Sequence, residues 1–570
     1  MNILVISGGS GNDALIKGIK EVYPESSVKV LLNAYDNGKS TGVCRKVTNT
    51  LGVSDIRKNH SRMYKAVTAE PNACYLEFYE GRYDFTKGNE LEEVCQKLVS
   101  WDLAFLCEVA ERFFRRPESL LFEYKDFSVS NIIYSEMYAE YGYEATNEFF
   151  CSLLGIEDFV LLNSFDNVFI QAITASGKVI ADEGDIVEYA NADDPIVDII
   201  YENEPSKWTL NQKAIDAIVQ ADLIVISTGT FWASIYPTLQ YHDLYNAINM
   251  SSGKKIWAIN NEEDKDAYGV SSNDLIEHFN KLGLDLSQFT ILENLDATES
   301  LRKENNNYDI VRASMGNIKG KHDGRLFARN ILKIYYGIRN ENFDKFIFDF
   351  DDTLWARDAL DNPVSMKYSR NNIQLLSNLT NKACIVSGNS YDSIARKLSK
   401  IYGSSLQGFN IDIWADANSC LFRNNTRVDV VADLMITEDI DPLVGFLYQQ
   451  YGLACTPNDF KFTTCLKVKP LTELDRKLLV DFLNNYLLVA ANLPNCVAIP
   501  TGKTTVDIVS KNNSKVAILQ KIDVTPDRIL YIGDELDAGN DEQIGHLCAH
   551  SIHTQGVAET NAILKLLQEN

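Results

Sequence analysis

The chain has 570 residues, too many for one hydrophobic core, and at about 150 residues per domain it predicts two or more domains. Its composition, 45% hydrophobic and 23% charged, is that of an ordinary globular protein, and no apolar run approaches the length of a membrane helix. The formal net charge of −25 argues against a general nucleic-acid or anionic-membrane surface, since both need a positive field.

The start of the sequence, MNILVISGGSG, carries no basic segment before its apolar run. We therefore interpret it as a first core strand rather than a signal peptide. The eleven cysteines include no CxxC pair, which favours reduced thiols over a disulfide framework or a zinc site. Together these features predict a cytoplasmic protein.

Short apolar runs alternate with helix-like stretches along most of the chain, as in NILVIS, NDALIKGIKEVY and VKVLLNAY. This pattern predicts the α/β class, with two doubly wound, Rossmann-like domains built on parallel sheets. We place the first domain at 1–338, with a helical insertion at about 60–155. The second domain is predicted at 341–570, with an inserted α+β cap at about 430–495.

A glycine-rich loop follows the first predicted strand and precedes a helix, in ISGGSGNDALIKGIK. Its backbone N–H groups and the helix N-terminus are suited to bind a phosphate through Gly8, Gly9, Ser10 and Gly11. The loop alone is equally consistent with an ordinary tight turn, because the acidic residue expected about 20 positions later in a dinucleotide site is not cleanly present.

Four further blocks of the first half carry a family resemblance: NAYDNGKSTG, GVSDIRKN, DFSVSNIIY and STGTFWASIYP. In order and context they resemble the 2-phospho-L-lactate transferase and gluconeogenesis-factor (YvcK-like) superfamily, over residues 1–335. That resemblance implies a domain that binds nucleotide-diphosphate compounds. The family's second block usually has two adjacent acids before two glycines, whereas this chain has Tyr35, Asp36, Asn37 and Gly38.

The residue types in these blocks suit a nucleotide diphosphate. Asp36 and Asp55 can hold a cation or sugar hydroxyls, Arg57 can meet phosphate charge, and Asn131 can hydrogen-bond the base or ribose. The alternative for each block is a polar turn with a capped helix, and for Asn131 the two interpretations are even. Besides the glycine loop, the predicted nucleotide-binding residues are Asp36, Asn37, Asp55, Arg57, Asn131, Thr228, Gly229, Thr230 and Ser234.

The resemblance of the first half implies two different activities. Transferases of the family move a phospholactyl-type group from a nucleotide-diphosphate donor to an alcohol, while the YvcK-like members bind UDP-sugars and act as regulators. The blocks are closer to the regulators, whereas an enzyme in the second half of the chain would favour a transferase. The family's transferase-like domains also suggest a homodimer.

In the second half, four separate predicted elements each place a polar group at the carboxyl edge of a sheet. Three of these groups come at strand ends, in DFDDT, SGN and GDELDAGND, and the fourth is Lys515 at the start of a helix. Because open α/β sheets bind ligands at this edge, the four groups predict a phosphate site. Asp349 can attack phosphorus, and Asp351 can protonate the leaving alcohol and then activate water. The phosphoryl oxygens are predicted to be held by Thr353, Ser387, Gly388 and Lys515.

A magnesium ion is predicted to neutralise the carboxylates of this site. Asp349, Asp534 and the backbone carbonyl of Asp351 offer the hard oxygens that Mg²⁺ prefers. In order, the four motifs resemble those of the haloacid dehalogenase superfamily of phosphatases, over 341–570. The last motif and the cap are similar to those of phosphomannomutase-like and trehalose-phosphate-phosphatase-like members, which implies metal support from Asn540 and Asp541.

The sequence therefore predicts a bifunctional enzyme, in which a nucleotide-diphosphate-dependent transferase-like domain is fused to a Mg²⁺-dependent phosphatase of a small phosphate ester. Two alternatives stay open. The first half can be a nucleotide-sugar sensor that controls the phosphatase, or the second half can be a phosphomutase. We assign the phosphate-binding lysine to Lys515, although Lys503 and Lys511 lie nearby in sequence.

Overall fold

In a computed structural model the chain divides into two units, Met1–Tyr335 and Tyr336–Asn570. The structure describes residues 1–8, 12–201, 207, 209, 211–262, 264–296, 308–317, 320–338, 343–379, 382–416, 418–430, 436, 438–460, 463–469, 473–501, 505–511, 515–536 and 541–568. Each unit is built on its own seven-stranded sheet, so the predicted α/β class with two sheets is confirmed.

Ten strands are described in the first unit: β1 (Asn2–Ile6), β2 (Ser27–Leu32), β3 (Val160–Leu162), β4 (Ile170–Thr174), β5 (Val179–Ile180), β6 (Ile196–Tyr201), β7 (Leu223–Ile226), β8 (Lys254–Ala258), β9 (Phe289–Asn294) and β10 (Asp309–Ala313). Seven of them form a parallel sheet in the order β10-β9-β8-β7-β1-β2-β3. The strands β5, β4 and β6 form a separate antiparallel sheet.

The central strands of this sheet are continuous apolar runs. β1 reads NILVI and β7 reads LIVI, and both are almost wholly buried, as expected when helices cover both faces of a parallel sheet. The strand order reverses between β1 and β7, because the chain goes from β1 to β2 on one side and returns at β7 on the other. Open α/β sheets bind ligands in the crevice outside this reversal point.

The helices of the first unit are α1 (Asp13–Val22), α2 (Lys39–Thr48), α3 (Ser54–Val67), α4 (Ala73–Glu80), α5 (Glu90–Ser100), α6 (Cys107–Arg115), α7 (Val129–Leu154), α8 (Glu183–Glu188), α9 (Gln212–Gln220), α10 (Tyr236–Leu239), α11 (His242–Met250), α12 (Ser272–Leu282) and α13 (Gly324–Tyr335). The helical stretch between β2 and β3 begins with α2, earlier than the predicted start near 60. Helix α13 lies against α1 at a close backbone approach between Gly18 and Gly324.

The strands of the second unit are β11 (Lys345–Asp349), β12 (Ala383–Val386), β13 (Asp412–Ala415), β14 (Cys420–Arg423), β15 (Thr426–Val430), β16 (Ala454–Phe460), β17 (Thr463–Lys469), β18 (Cys496–Thr501), β19 (Thr505–Ser510), β20 (Ile529–Gly533) and β21 (His550–His553). The main sheet has the order β15-β14-β13-β12-β11-β20-β21. Its edge strands β14 and β15 are antiparallel, so this sheet is mixed rather than parallel throughout.

The inserted cap of the second unit contains a four-stranded antiparallel sheet in the order β16-β17-β19-β18. Its own apolar core includes Leu466, Leu483 and Ile508. The predicted end of the cap near 495 is too early, because β19 pairs with β17 and β18 pairs with β19, which extends the small sheet as far as Ser510.

Helices of the second unit are α14 (Pro363–Asn378), α15 (Tyr391–Tyr402), α16 (Asp441–Tyr451), α17 (Glu473–Phe482), α18 (Leu488–Ala490), α19 (Lys515–Leu519), α20 (Glu542–Leu547) and α21 (Val557–Leu567). None of the helices in the described ranges combines the length and the apolar character that a bilayer crossing requires.

Candidate functional site

Three neighbouring parallel strands of the second unit end side by side and carry polar groups to one edge of the sheet. β11 ends at Asp349, whose partner in the ladder is the last residue of β12. Ser387 follows β12 directly, and Asp534 follows β20, the other neighbour of β11. Residues predicted from separate sequence motifs therefore lie at the same sheet edge.

A cluster of three acids lies beside Lys515 at this edge, with Asp349 and Asp541 buried and Asp534 half-buried. Carboxylate oxygens of Asp349, Asp534 and Asp541 all lie within 4.8 Å of one another. The Lys515 ammonium donates to Asp349 Oδ1 at 2.6 Å and to Asp541 Oδ1. The Tyr531 hydroxyl donates to the same Asp541 oxygen at 2.6 Å. The structure thus brings Lys515 to the predicted nucleophile.

The electrostatics of the cluster favour a bound cation. Burial raises the pKa of Asp349 well above its usual range, and Asp541 and Asp534 add to that shift while Lys515 opposes it. Burial also raises the pKa of Asp534 to about 6, with Asp541 contributing next. Burial would lower the pKa of Lys515, but Asp349 and Asp541 outweigh it and raise that pKa. The Lys515 ammonium pairs with two of the three acids, Asp349 and Asp541, and a cation bound among the three would favour their charged forms.

The donor set of the cluster fits the predicted magnesium ion. Carboxylate oxygens are hard ligands of the kind that Mg²⁺ prefers, and three of them converge here. Asp541, predicted only as metal support, is one of the three acids. Binding of the ion by the backbone carbonyl of Asp351 stays a prediction. Asn540, which is predicted to support the metal site, lies outside the described residues.

The carboxylate of Asp351 has partners different from those of Asp349. Its Oδ1 accepts from the Lys397 ammonium at 2.6 Å, and its Oδ2 accepts from the Asn389 amide. Asn389 belongs to the SGN motif, but Lys397 lies further along, on α15. No sequence motif pointed to Lys397, because a lysine on an amphipathic helix is usually only solvated.

The predicted phosphate-binding residues lie around the acidic cluster. Thr353 is fully buried and its hydroxyl donates to Asp534 Oδ1 at 3.4 Å. The Ser387 hydroxyl oxygen accepts from the backbone N–H of Asn389 at 3.1 Å. A Cβ placed on Gly388 would meet no atom within 4 Å, so this glycine borders open space. Their roles toward a phosphoryl group stay predictions.

In the first unit, the loops after β1 and β7 meet at the reversal point of the sheet. A Cβ added at Gly8 would overlap Oγ of Ser234, and one added at Gly229 would lie 3.6 Å from the Gly8 nitrogen. The hydroxyls of Thr230 and Ser234 lie 2.8 Å apart. Two predicted blocks therefore share one crevice. The remaining loop residues Gly9, Ser10 and Gly11 lie outside the described residues.

A cavity of about 550 Å³ opens beside this crevice. The predicted residues Thr228, Gly229 and Thr230 line it, together with Asn260. The Asn260 amide donates to the Gly229 carbonyl at 3.1 Å and its oxygen accepts from the Gly229 N–H at 3.2 Å. Asn260 follows β8 in the sequence AINN, which was not among the predicted blocks, so the sequence did not predict this residue.

The second predicted block forms a polar loop around Asp36. The carboxylate of Asp36 accepts from the Gly38 N–H at 2.9 Å and from the Thr41 hydroxyl at 3.1 Å. The Asn37 N–H donates to Glu183 at 3.1 Å. Burial raises the pKa of Glu183 to about 8, and Asp36 adds to the shift. Glu183 was missed because only the tertiary fold brings α8 to this loop.

Arg57 and Asn131 form a buried pair that joins α3 to α7. The Arg57 guanidinium donates to the Asn131 amide oxygen, and the Asn131 amide donates to the Ser40 hydroxyl at 2.9 Å. Burial lowers the pKa of Arg57 to about 10, with Arg82 contributing next. The neighbouring Asp55 accepts from Lys58 at 3.1 Å. Two residues that are predicted to bind the nucleotide are therefore hydrogen-bond partners of each other in the structure.

Comparison with solved structures gives matches to each unit separately. A member of the UPF0052 family from Bacillus halodurans is 17% identical, with a TM-score of 0.45, covering 58% of this chain and 99% of that chain. An IMP-nucleotidase mutant from Plasmodium falciparum is 18% identical, with a TM-score of 0.30, covering 42% and 72%. A haloacid dehalogenase-like hydrolase from Bacteroides thetaiotaomicron is 13% identical, with a TM-score of 0.28, covering 38% and 98%.

Sequence comparison identifies relatives of the first unit. A protein from Aquifex aeolicus that carries the description of a gluconeogenesis factor is 22% identical over 344 residues, covering 58% of this chain and 90% of that protein. One of the same description from Clostridium acetobutylicum is 22% identical over 308 residues, covering 53% and 58%. The family described as 2-phospho-L-lactate transferase CofD matches residues 3–320, more than half of the 570 residues. The chain therefore belongs to the 2-phospho-L-lactate transferase CofD family.

Proposed function

We propose that the second unit is a Mg²⁺-dependent phosphatase of the haloacid dehalogenase type, which hydrolyses a small phosphate monoester through an aspartyl-phosphate. The observation that carries this proposal is the contact of buried Lys515 with Asp349 and Asp541, in one cluster with Asp534. A nucleophilic carboxylate beside an ammonium and convergent oxygen ligands is the arrangement that phosphoryl transfer requires.

In the proposed reaction Asp349 attacks phosphorus and forms the Asp349–phosphorus bond. The phosphorus–oxygen bond of the ester breaks, and the leaving oxygen takes its electron pair and a proton from Asp351. Asp351, now a carboxylate, next accepts a proton from water whose oxygen attacks phosphorus and releases Asp349. When bound, Mg²⁺ supplies positive charge that offsets the approach of the phosphoryl oxygens to the acids.

Removal of Mg²⁺ is expected to stop release of inorganic phosphate. Without the ion, the negative cluster repels the phosphoryl group that Asp349 has to attack. EDTA-treated protein should therefore lose turnover of p-nitrophenyl phosphate, and added Mg²⁺ should restore it. Binding should also be visible without turnover, since an ion at about 100 times its dissociation constant stabilises the folded state by about 2.7 kcal/mol.

The matched variant for this test is Asp534→Asn, which removes one acid of the cluster. Its melting temperature should rise less on addition of Mg²⁺ than that of the unsubstituted protein, because one ligand oxygen has lost its charge. Equal stabilisation of both proteins by Mg²⁺ would place the ion elsewhere. Turnover in excess EDTA would contradict the metal dependence.

We also propose that the first unit binds a nucleotide-diphosphate-linked small molecule at the crevice beside the cavity. Three features support this assignment. The crevice lies at the reversal point of the strand order, it is bordered by Gly8, Gly229 and the hydroxyls of Thr230 and Ser234, and the cavity is large enough for a small ligand. Membership of the CofD family agrees with such a ligand.

Thr230→Val is expected to weaken binding of UDP-glucose or GDP by about tenfold, because it removes one hydroxyl of the crevice at almost constant volume. Isothermal titration calorimetry measures the change. Thr86→Val is the matched control, since Thr86 is exposed in the loop before α5 and does not line the cavity. Equal affinity of Thr230→Val and the unsubstituted protein would remove Thr230 from the binding site.

Two activities of the first unit remain as alternatives, and different observations favour them. The CofD family match favours a transferase, which would release a nucleoside monophosphate from a nucleotide-diphosphate donor. The relatives described as gluconeogenesis factors favour a sensor that binds nucleotide-sugar without turnover. Chromatography of nucleotides after incubation with the donor distinguishes the two.

In the second unit, retention of phosphate on the product would favour a phosphomutase.

A further inference from the structure

The proposed proton donor Asp351 is held by two donors at once. Lys397 contacts one carboxylate oxygen at 2.6 Å, and the Asn389 amide contacts the other. Both side chains of the ion pair are largely removed from solvent, with exposed fractions of 18% for Asp351 and 25% for Lys397. The orientation of the carboxylate is therefore fixed from both sides.

Lys397 is itself held in place, by a residue next to Asp351 and by the anchoring of its own helix. Its ammonium lies 5.2 Å from the ring centroid of Phe350, the fully buried residue before Asp351. Lys397 projects from α15, whose first turn is anchored because the Ser390 side chain accepts from the Ser393 N–H and the Tyr391 N–H donates to Asp416 at 2.8 Å. The helix thus brings a cation to Asp351 in a defined position.

We infer that Lys397 is a positioning residue for Asp351, which holds the carboxyl group where it protonates the leaving oxygen. The inference rests on the proposed phosphatase function. The contacts from Lys397 and Asn389 hold the two oxygens of Asp351 in one orientation. A reacting group that is held in its productive orientation accelerates the step. The ammonium then remains beside the carboxylate that accepts the proton of water.

A merely structural ion pair would behave differently. Ion pairs with partly exposed partners contribute little to stability, so their removal affects all substrates alike through small changes in folding. Loss of a positioned proton donor instead affects esters according to their leaving group. Phenyl phosphate releases a more basic oxygen than p-nitrophenyl phosphate and needs protonation more.

The test compares kcat/KM for phenyl phosphate and p-nitrophenyl phosphate in the unsubstituted full-length protein and in Lys397→Met, with Mg²⁺ present. We expect Lys397→Met to lose about tenfold more activity on phenyl phosphate than on p-nitrophenyl phosphate. Lys397→Arg should recover part of that selectivity, because it retains the cation. Lys400→Met is the matched control, since Lys400 is exposed on the same helix, and it should leave both rates unchanged.

A double-substitution cycle with Asp351→Asn completes the test. Once Asp351 cannot donate a proton, adding Lys397→Met should change the ratio of the two rates no further. Equal losses on both esters, in a Lys397→Met protein that keeps its melting temperature, would overturn the inference while leaving the phosphatase in place. If the unsubstituted protein hydrolyses neither ester, both the phosphatase proposal and this inference fail.

Discussion

Asp349→Asn is expected to lower the release of inorganic phosphate by about 10³-fold or more, because the amide cannot attack phosphorus to form the covalent intermediate. The side chains have nearly the same shape, and the substitution places a neutral group where burial already disfavours the charged carboxylate. The fold should therefore persist. Phosphate release from p-nitrophenyl phosphate, measured beside a thermal unfolding curve, checks both expectations.

Asp361→Asn provides the matched control for this substitution. Asp361 is exposed in the turn before α14 and does not belong to the acidic cluster. Its rate of phosphate release should equal that of the unsubstituted protein. An unchanged rate in Asp349→Asn would remove Asp349 from the role of nucleophile, and a lost melting transition would show that its effect is on folding.

Gly18→Ala is expected to lower the free energy of unfolding of the first unit by about 3 kcal/mol or more. A Cβ at Gly18 would overlap the backbone carbonyl oxygen of Gly324, which cannot turn aside as a flexible side chain can. Helices α1 and α13 would have to separate. Hydrogen exchange of the amides of β1 and α1 in the full-length chain reports the local loss of stability.

Gly445→Ala is the matched control, since Gly445 also lies inside a helix, α16, and a Cβ there would meet no atom within 4 Å. Alanine has the higher helix propensity, so this variant should be more stable by up to about 1 kcal/mol. Equal effects of the two substitutions would show that the contact between α1 and α13 is not rigid.

The polar residues at the edge of the main sheet of the second unit were predictable from local sequence, because each of them lies at the end of its own apolar strand. β11, β12 and β20 are short runs of buried residues, and the residue at the end of each run is Asp349, Ser387 or Asp534. Parallel strands bring these ends to the same edge of the sheet, and the three residues lie close together because β12 and β20 are both neighbours of β11. Lys515 was predictable because three other motifs had already defined the phosphate site.

Partners that come from distant helices were not predictable from the sequence. Glu183 contacts the Asp36 loop from α8, and Lys397 reaches Asp351 from α15. Neither residue lies in a motif, and an isolated acid or lysine on a helix surface resembles any solvated charge. Such contacts depend on helix orientation, which periodicity alone does not determine.

The end of the cap and the pairing of Arg57 with Asn131 were missed for a related reason. β18 and β19 resemble core strands in sequence, and only the pairing of β19 with β17 and of β18 with β19 assigns them to the small sheet. Arg57 and Asn131 have the polar character of ligand residues, yet burial makes each of them the hydrogen-bond partner of the other.

The contact between α1 and α13 also determines how the first unit can be separated from the rest of the chain. The family match stops at 320, whereas α13 begins at Gly324 and ends at Tyr335. A fragment cut at the end of the match would lack the helix that covers α1, and would expose apolar surface to solvent. A fragment of the first unit that folds by itself therefore has to extend to Tyr335, past the end of the family match.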